Sequence, residues 1–138
     1  MKSYSGNITP EEGTIFVFGS NPEGRHGAVA AKIAKEKFGA VYGCGEGLQG
    51  NSYALPTKDL RIRGTRSISP EQIVENIKRL YACAEEHPEL KFKVAYRNVS
   101  EISLNGYSGY EMIEMFKRAG DIPENIYFSE EWIKTGLL

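Results

Sequence analysis

The residues best suited to chemistry lie together in Gly19-Ser20-Asn21-Pro22-Glu23-Gly24-Arg25-His26-Gly27-Ala28-Val29. Glycines let a backbone approach a ligand closely, and the first turn of a helix offers unpaired N–H groups with a partial positive charge. Arg25 adds a guanidinium fork that matches phosphate oxygens, and His26 an imidazole that titrates near neutrality. Such a segment is built to receive phosphate, so Gly19, Ser20, Asn21, Arg25, Gly27, Ala28 and Val29 are candidate ligand contacts. Asn21 and His26 are candidate catalytic groups. Each has a plainer reading, because Asn21 can close a turn with its own side chain and His26 can be a solvated helix-start residue.

Other chemistry-bearing residues are scattered. Lys58-Asp59 follows Pro56 at the expected carboxyl end of a strand, where Asp59 either orients a water molecule or is a solvated loop carboxylate. The loop Gly43-Cys44-Gly45-Glu46-Gly47-Leu48-Gln49-Gly50 holds four glycines, for tight turning or for close approach to a sugar or phosphate. Cys44 has no obligatory base beside it and reads as a reduced thiol. Arg61, Arg63 and Arg66 form a basic cluster in a polar loop, usually a solvated face, while Tyr96, Tyr107 and Tyr110 either pack or line a base or ribose pocket.

The elements that must position these groups follow from periodicity. Thr14–Phe18 is a short β-branched and aromatic run, hence a buried strand. A helix from about Gly27 to Phe38 turns Ala30, Ile33, Ala34 and Phe38 inward and stops at Gly39. A minor strand is expected at 40–42, further strands at 52–56, 92–96 and 125–128, and an irregular loop at 57–68. Capping serines open the later helices: Ser69-Pro70-Glu71-Gln72, Ser108-Gly109-Tyr110-Glu111 and Ser129 before Trp132. Strands alternating with helices predict an α/β fold with helices on both faces of a mostly parallel sheet, and ligands of such sheets bind beyond the strands' carboxyl ends.

Composition bounds the rest. A chain of 138 residues with 41% hydrophobic and 25% charged residues is expected to form one domain spanning 1–138. A net charge of -1 opposes broad nucleic-acid binding, and no apolar run approaches membrane-spanning length. No signal-like segment precedes residue 14, so a cytoplasmic protein is expected. Cys44 and Cys83 are too few and too far apart for a cysteine zinc cluster, and neither a metal nor a cofactor is expected. Oligomeric state is not encoded in any pattern here.

Taken in order, Gly6-Asn7-Ile8-Thr9, the strand Ile15–Phe18, Gly19-Ser20-Asn21 and the Gly-Ala-Val-Ala helix start resemble the macro domain, with its GDIT, VNAAN and GVA segments. Asn7 precedes Asn21 by fourteen residues, as the aspartate of GDIT precedes the last asparagine of VNAAN. Asn105-Gly106-Tyr107-Ser108-Gly109-Tyr110 is similar to that family's late glycine-rich loop. The longer strings FGSN..GRHGA and GLQGNSYALPTKD are similar to a small branch encoded by phages and bacteria. The resemblance implies a three-layer α/β/α fold and an ADP-ribose or related site in a bacterial cytoplasm. Asn7 would lie beside adenine, Asn21 beside the distal ribose, Gly27 to Ala30 beside the diphosphate, and Asn105, Gly106, Tyr107, Ser108 and Gly109 on the opposite wall. Asn7 for aspartate, Phe18 for the first asparagine of VNAAN, and Arg25-His26 within the glycine run depart from the pattern. The activities implied are hydrolysis of an ADP-ribosyl derivative or of an ADP-ribosylated target, with Asn21, His26 or Asp59 orienting the nucleophile, or binding alone; a host-interaction protein that has lost the activity is the third reading.

Overall fold

A computed structural model describes residues 1–27 and 29–138. Six strands form one sheet in the order β1-β6-β5-β2-β4-β3: β1 Lys2–Tyr4, β2 Thr14–Ser20, β3 Gly47–Gln49, β4 Ser52–Pro56, β5 Lys91–Val94 and β6 Ile126–Ser129. Every neighbouring pair is parallel except β3 with β4. The helices are α1 Val29–Lys37, α2 Pro70–Glu86, α3 Gly109–Arg118 and the short α4 Glu130–Ile133. This is a three-layer α/β/α fold with a mixed, mostly parallel sheet.

Side-chain alternation along the central strands divides the interior in two. Ile15 and Val17 of β2, with Tyr53 and Leu55 of β4, face the larger core with Phe92, Ile73, Ile77, Leu80, Phe116 and Trp132. Phe16, Phe18 and Ala54 face the other side, against Ala31, Ala34 and Phe38 of the α1 region. The period of two along a strand requires this split, and both central strands are buried on both faces, as parallel strands between helices are. Phe16 and Phe38 stack with ring centroids 4.4 Å apart and fix α1 on its face.

The caps form where the serines stand. Ser69 Oγ accepts from the Gln72 N–H at 3.2 Å and Ser129 Oγ from Trp132 N–H at 3.3 Å. At α3 the box is complete: Ser108 Oγ accepts from Glu111 N–H, and Glu111 Oε1 accepts from Ser108 N–H at 3.0 Å. Such a cap stabilises a helix by about 1 kcal/mol.

Three local expectations are corrected. Residues 40–42 form no strand; Gln49 Oε1 accepts from the Val41 N–H at 2.7 Å, and Gly47–Gln49 pairs with β4 instead. Lys2–Tyr4 is a strand that sequence pattern did not reveal, paired with β6 and anchored by the buried Tyr4. On α1 the buried residues are Ala31 and Ala34, while Ile33 is 42% exposed. The helix is rotated so that small residues meet the sheet, which lets it lie close to the aromatic face of β2.

Candidate functional site

Because five strands are parallel, their carboxyl ends share one edge of the sheet. A cleft of about 780 Å³ opens there, lined by the residues that end or follow β2 (Gly19, Ser20, Asn21), β4 (Thr57, Lys58), β5 (Ala95, Tyr96, Arg97) and β6 (Glu131). Arg25, Gly27 and Val29 continue one wall; Ser103, Asn105, Tyr107 and Gly109 belong to the facing one. The glycine-rich segment after β2 and the loop before α3 therefore meet across a common space.

The first wall is set by Asn21, whose side chain closes the turn: Oδ1 accepts from Arg25 N–H at 2.9 Å and Nδ2 donates to Arg25 C=O at 3.1 Å. The turn and the ligand readings of Asn21 coincide, because the residue that shapes the loop also borders the cleft. Ser20 Oγ donates to Gly45 C=O at 2.8 Å, tying this wall to the 43–50 loop. A Cβ at Gly45 would sit 2.6 Å from Pro22 O, and one at Gly24 2.7 Å from Gly43 Cα. Gly45 and Gly50 thus serve backbone-to-backbone packing, Gly43 and Gly47 take left-handed φ values of 90° and 98° that turn the chain, and Gly43–Gly50 does not border the cleft.

The floor is a polar network. Tyr96 Oη lies 3.0 Å from Thr57 Oγ1 and accepts from Asn105 Nδ2 at 3.2 Å. Burial pushes the Tyr96 phenol up to about 12, so it stays a neutral hydroxyl at any physiological pH. Asn105 Oδ1 accepts from Tyr107 N–H at 2.9 Å, and Tyr107 Oη donates to Ile68 C=O at 2.7 Å. Asn105 and Tyr107 are held by their neighbours while presenting one edge to the cleft, a preorganised surface.

The remaining candidates fall elsewhere. His26 is 2% exposed, set edge-on against Phe18 with centroids 5.1 Å apart, with Nε2 3.0 Å from Cys44 O and no partner for Nδ1 among the described residues. It packs behind the wall and does not border the cleft. Asp59 lies at a second, more open cavity of about 620 Å³, with Glu46, Ser67, Gln72, Asn76 and Arg79. Its carboxylate accepts from Arg61 Nε at 2.9 Å and Nη2 at 2.9 Å, and Arg61 Nε is also 3.1 Å from Glu23 Oε1. The Arg61 hydrogen bonds hold the Asp59 carboxyl well below the ordinary carboxylate range. Asn21, His26 and Asp59 are not brought to one place.

Gly106 and Ser108 also turn away. A Cβ at Gly106 would meet Thr65 and Arg66, and Ser108 is spent on the α3 cap. Asn7 does not border the cleft itself, but its Oδ1 accepts from Arg97 Nη1 at 3.0 Å, and Arg97 does border it. Ala28 lies outside the described residues. Two arginines of the basic cluster at 61–66 are taken up in ion pairs, Arg61 with Asp59 and Arg66 with Glu111, each at 2.9 Å.

Sequence reasoning did not single out Lys58 or Arg97 as cleft cations, Glu101 or Glu131 as cleft carboxylates, or Val29, Leu60, Ile102 and Leu104 as a common apolar rim. Ile102 and Leu104 are 67% and 59% exposed, unusual for large aliphatics that border one opening. The one available signal was position, since Lys58, Arg97 and Glu131 each stand within three residues of a strand's carboxyl end.

No protein-family model matches this sequence, and neither a curated protein nor a solved structure matches the chain. Among the described residues no three His, Cys, Asp or Glu side chains are grouped to hold a metal ion, and no helix is long and apolar enough to cross a membrane. The site is a roomy cleft with glycine-lined backbone, three cations, two carboxylates and an apolar rim.

Proposed function

We propose that the cleft binds ADP-ribose or a related nucleotide diphosphate-sugar. The observation that carries this reading is the convergence of two glycine-containing segments, Gly19–Gly27 and Asn105–Gly109, on one cleft at the carboxyl edge of a parallel sheet. Its volume of about 780 Å³ lies in the range of sites that enclose ligands of this size. Arg25 and the start of α1, whose first turn carries no acidic residue, suit the diphosphate. The neutral hydroxyls and amides of Thr57, Tyr96 and Asn105 suit sugar hydroxyls, which both donate and accept.

Binding without turnover is the reading the arrangement favours. His26 is packed under Phe18, and Asp59 is clamped by Arg61 at the other cavity, and neither borders the cleft. A general base must come within hydrogen-bond distance of the proton that it takes. The protein then acts as a reader or scavenger of ADP-ribosyl groups; a hydrolase would need Asn21 and cleft residues alone to position water.

Titration calorimetry with ADP-ribose tests the binding, and saturable one-to-one heat is expected. Incubation with a mono-ADP-ribosylated protein, followed by mass spectrometry, tests turnover. Retention of the modification supports the reader; its release, undiminished in Asp59→Asn, assigns catalysis to the cleft. No saturable heat with ADP-ribose contradicts the proposal.

A further inference from the structure

The cleft is polarised along the sheet edge. Arg25 and Lys58 belong to the loops after β2 and β4, whereas Glu131 follows β6, and Asn7 follows β1 beyond it. β4 and β6 are separated by β2 and β5, three strand spacings or roughly 14 Å. Two cations thus occupy one end and the Arg97–Glu131 ion pair the other, with the Tyr96 hydroxyl toward the β5 end between them. A nucleotide has the same layout: phosphates at one end, a base at the other, a ribose between.

At the β6 end Arg97 joins three elements. Nη1 donates to Asn7 Oδ1 at 3.0 Å, and Nη2 lies 3.6 Å from Glu131 Oε1. Asn7 does not itself border the cleft, and Arg97 already engages its carbonyl oxygen. Glu131 is placed differently: it borders the cleft, and the arginine engages one of its two oxygens, while a carboxylate can accept about four hydrogen bonds. Its own backbone N–H, Arg97 and Ser129 hold the carboxyl below its ordinary range, so it is an acceptor with no proton to donate at neutral pH.

We infer that Glu131, oriented by Arg97, is the base-recognition residue of the cleft and selects a nucleobase carrying an exocyclic amino group over one carrying an oxo group at that position. An amino group donates to the carboxylate in a charge-assisted hydrogen bond; an oxo group sets acceptor against acceptor and leaves both without a partner. The assignment rests on the cleft taking a nucleotide diphosphate, with Arg25 and Lys58 toward the phosphates.

The test compares ADP-ribose with its inosine counterpart, in which the adenine amino group is an oxo group, by titration calorimetry on the full chain. Wild type is expected to bind the amino form at least ~10-fold more tightly. Glu131→Gln is expected to bring the ratio within about threefold, because an amide can turn to offer either a donor or an acceptor. Glu130→Gln, next door and exposed, is expected to keep the wild-type ratio. A melting temperature measured for each variant separates loss of fold from loss of discrimination. Equal affinity of wild type for both nucleotides, or an unchanged ratio in Glu131→Gln, overturns the base assignment while leaving the cleft reading intact; no binding of either nucleotide overturns both.

Discussion

The hydroxyl of Tyr96 lies where a Cβ on Gly19 would have to be, and Thr57 Oγ1 closes the same space 3.2 Å from that point. Gly19, the penultimate residue of β2, is therefore glycine for a reason that has nothing to do with turning: the phenol of Tyr96, two residues past the end of β5, crosses over it to reach Thr57 and Asn105. Gly19→Ala is expected to displace Tyr96 and lower stability by about 1–3 kcal/mol, the usual cost of overpacking. Tyr96→Phe, which loses the two hydroxyl contacts, is expected to cost about 1 kcal/mol. The double variant should cost less than the sum, since removing the hydroxyl opens the space the methyl needs. Urea titration of the four proteins measures this, and strict additivity would show that the two residues do not share the space.

Asn21 is expected to couple loop shape to binding. Asn21→Ala removes both hydrogen bonds to the Arg25 main chain and should weaken ADP-ribose binding by ~10-fold or more. Asn21→Asp keeps the acceptor for Arg25 N–H and should be intermediate in thermal stability, yet it places a negative charge beside the proposed phosphates and should bind no better than the alanine variant. Calorimetry paired with thermal unfolding distinguishes these outcomes.

Much of this architecture can be read from the chain, and the parts that cannot share a cause. The strands Thr14–Phe18 and Ser52–Pro56 and the capping serines at 69, 108 and 129 announce themselves through local pattern, which is where local physics decides structure. Lys2–Tyr4 does not, because a three-residue strand with one buried side chain owes its existence to β6, whose paired residues are 125 positions away in sequence. Ile33 reads as inward by period, but the packing of Ala31 and Ala34 on Phe16 and Phe18 decides the rotation of α1. The glycines of 43–50 are open in sequence to tight turning or to ligand approach, and the left-handed φ of Gly43 and Gly47 with the backbone neighbours of Gly45 and Gly50 at Asn21, Pro22 and Gly39 decide for the former. At the site, the wall after β2 was legible because its residues are contiguous. The loops that hold Lys58 and Arg97 are legible as lying at strands' carboxyl ends, but that these two and Glu131 share one cleft is not, because only the strand order 1-6-5-2-4-3 sets their neighbours along the edge.

Asp59 is expected to be a stability residue. Its carboxyl is held low by Arg61, so its folded pKa lies below the unfolded value near ~4. A depressed carboxylate stabilises the fold above the unfolded pKa, and the contribution is lost as pH falls through the folded value. Asp59→Asn should therefore melt below wild type from pH 7 down to about pH 5, and the gap should shrink below about pH 4. The same variant should bind ADP-ribose within about twofold of wild type, since Asp59 faces the other cavity. A gap independent of pH would show that the Arg61 pairing is not its source.

The apolar rim is expected to act in binding and not in folding. Ile102 and Leu104 are already exposed, so Ile102→Ser and Leu104→Ser should leave the melting temperature nearly unchanged. Each should weaken a ligand that covers it by about fivefold, corresponding to burial of roughly 40 Å² of apolar surface, or ~1 kcal/mol. Loss of stability without loss of affinity would place these side chains in packing.

The most direct measurement of the central claim is the set of backbone amide shifts followed by NMR as ADP-ribose is titrated into the labelled protein. The amides of Gly19, Asn21 and Gly27 should move together with those of Tyr96, Asn105, Tyr107 and Gly109, saturating at one ligand concentration. Shifts confined to one of these walls, or centred on the cavity around Asp59, Gln72 and Arg79, would contradict a shared cleft for a nucleotide diphosphate.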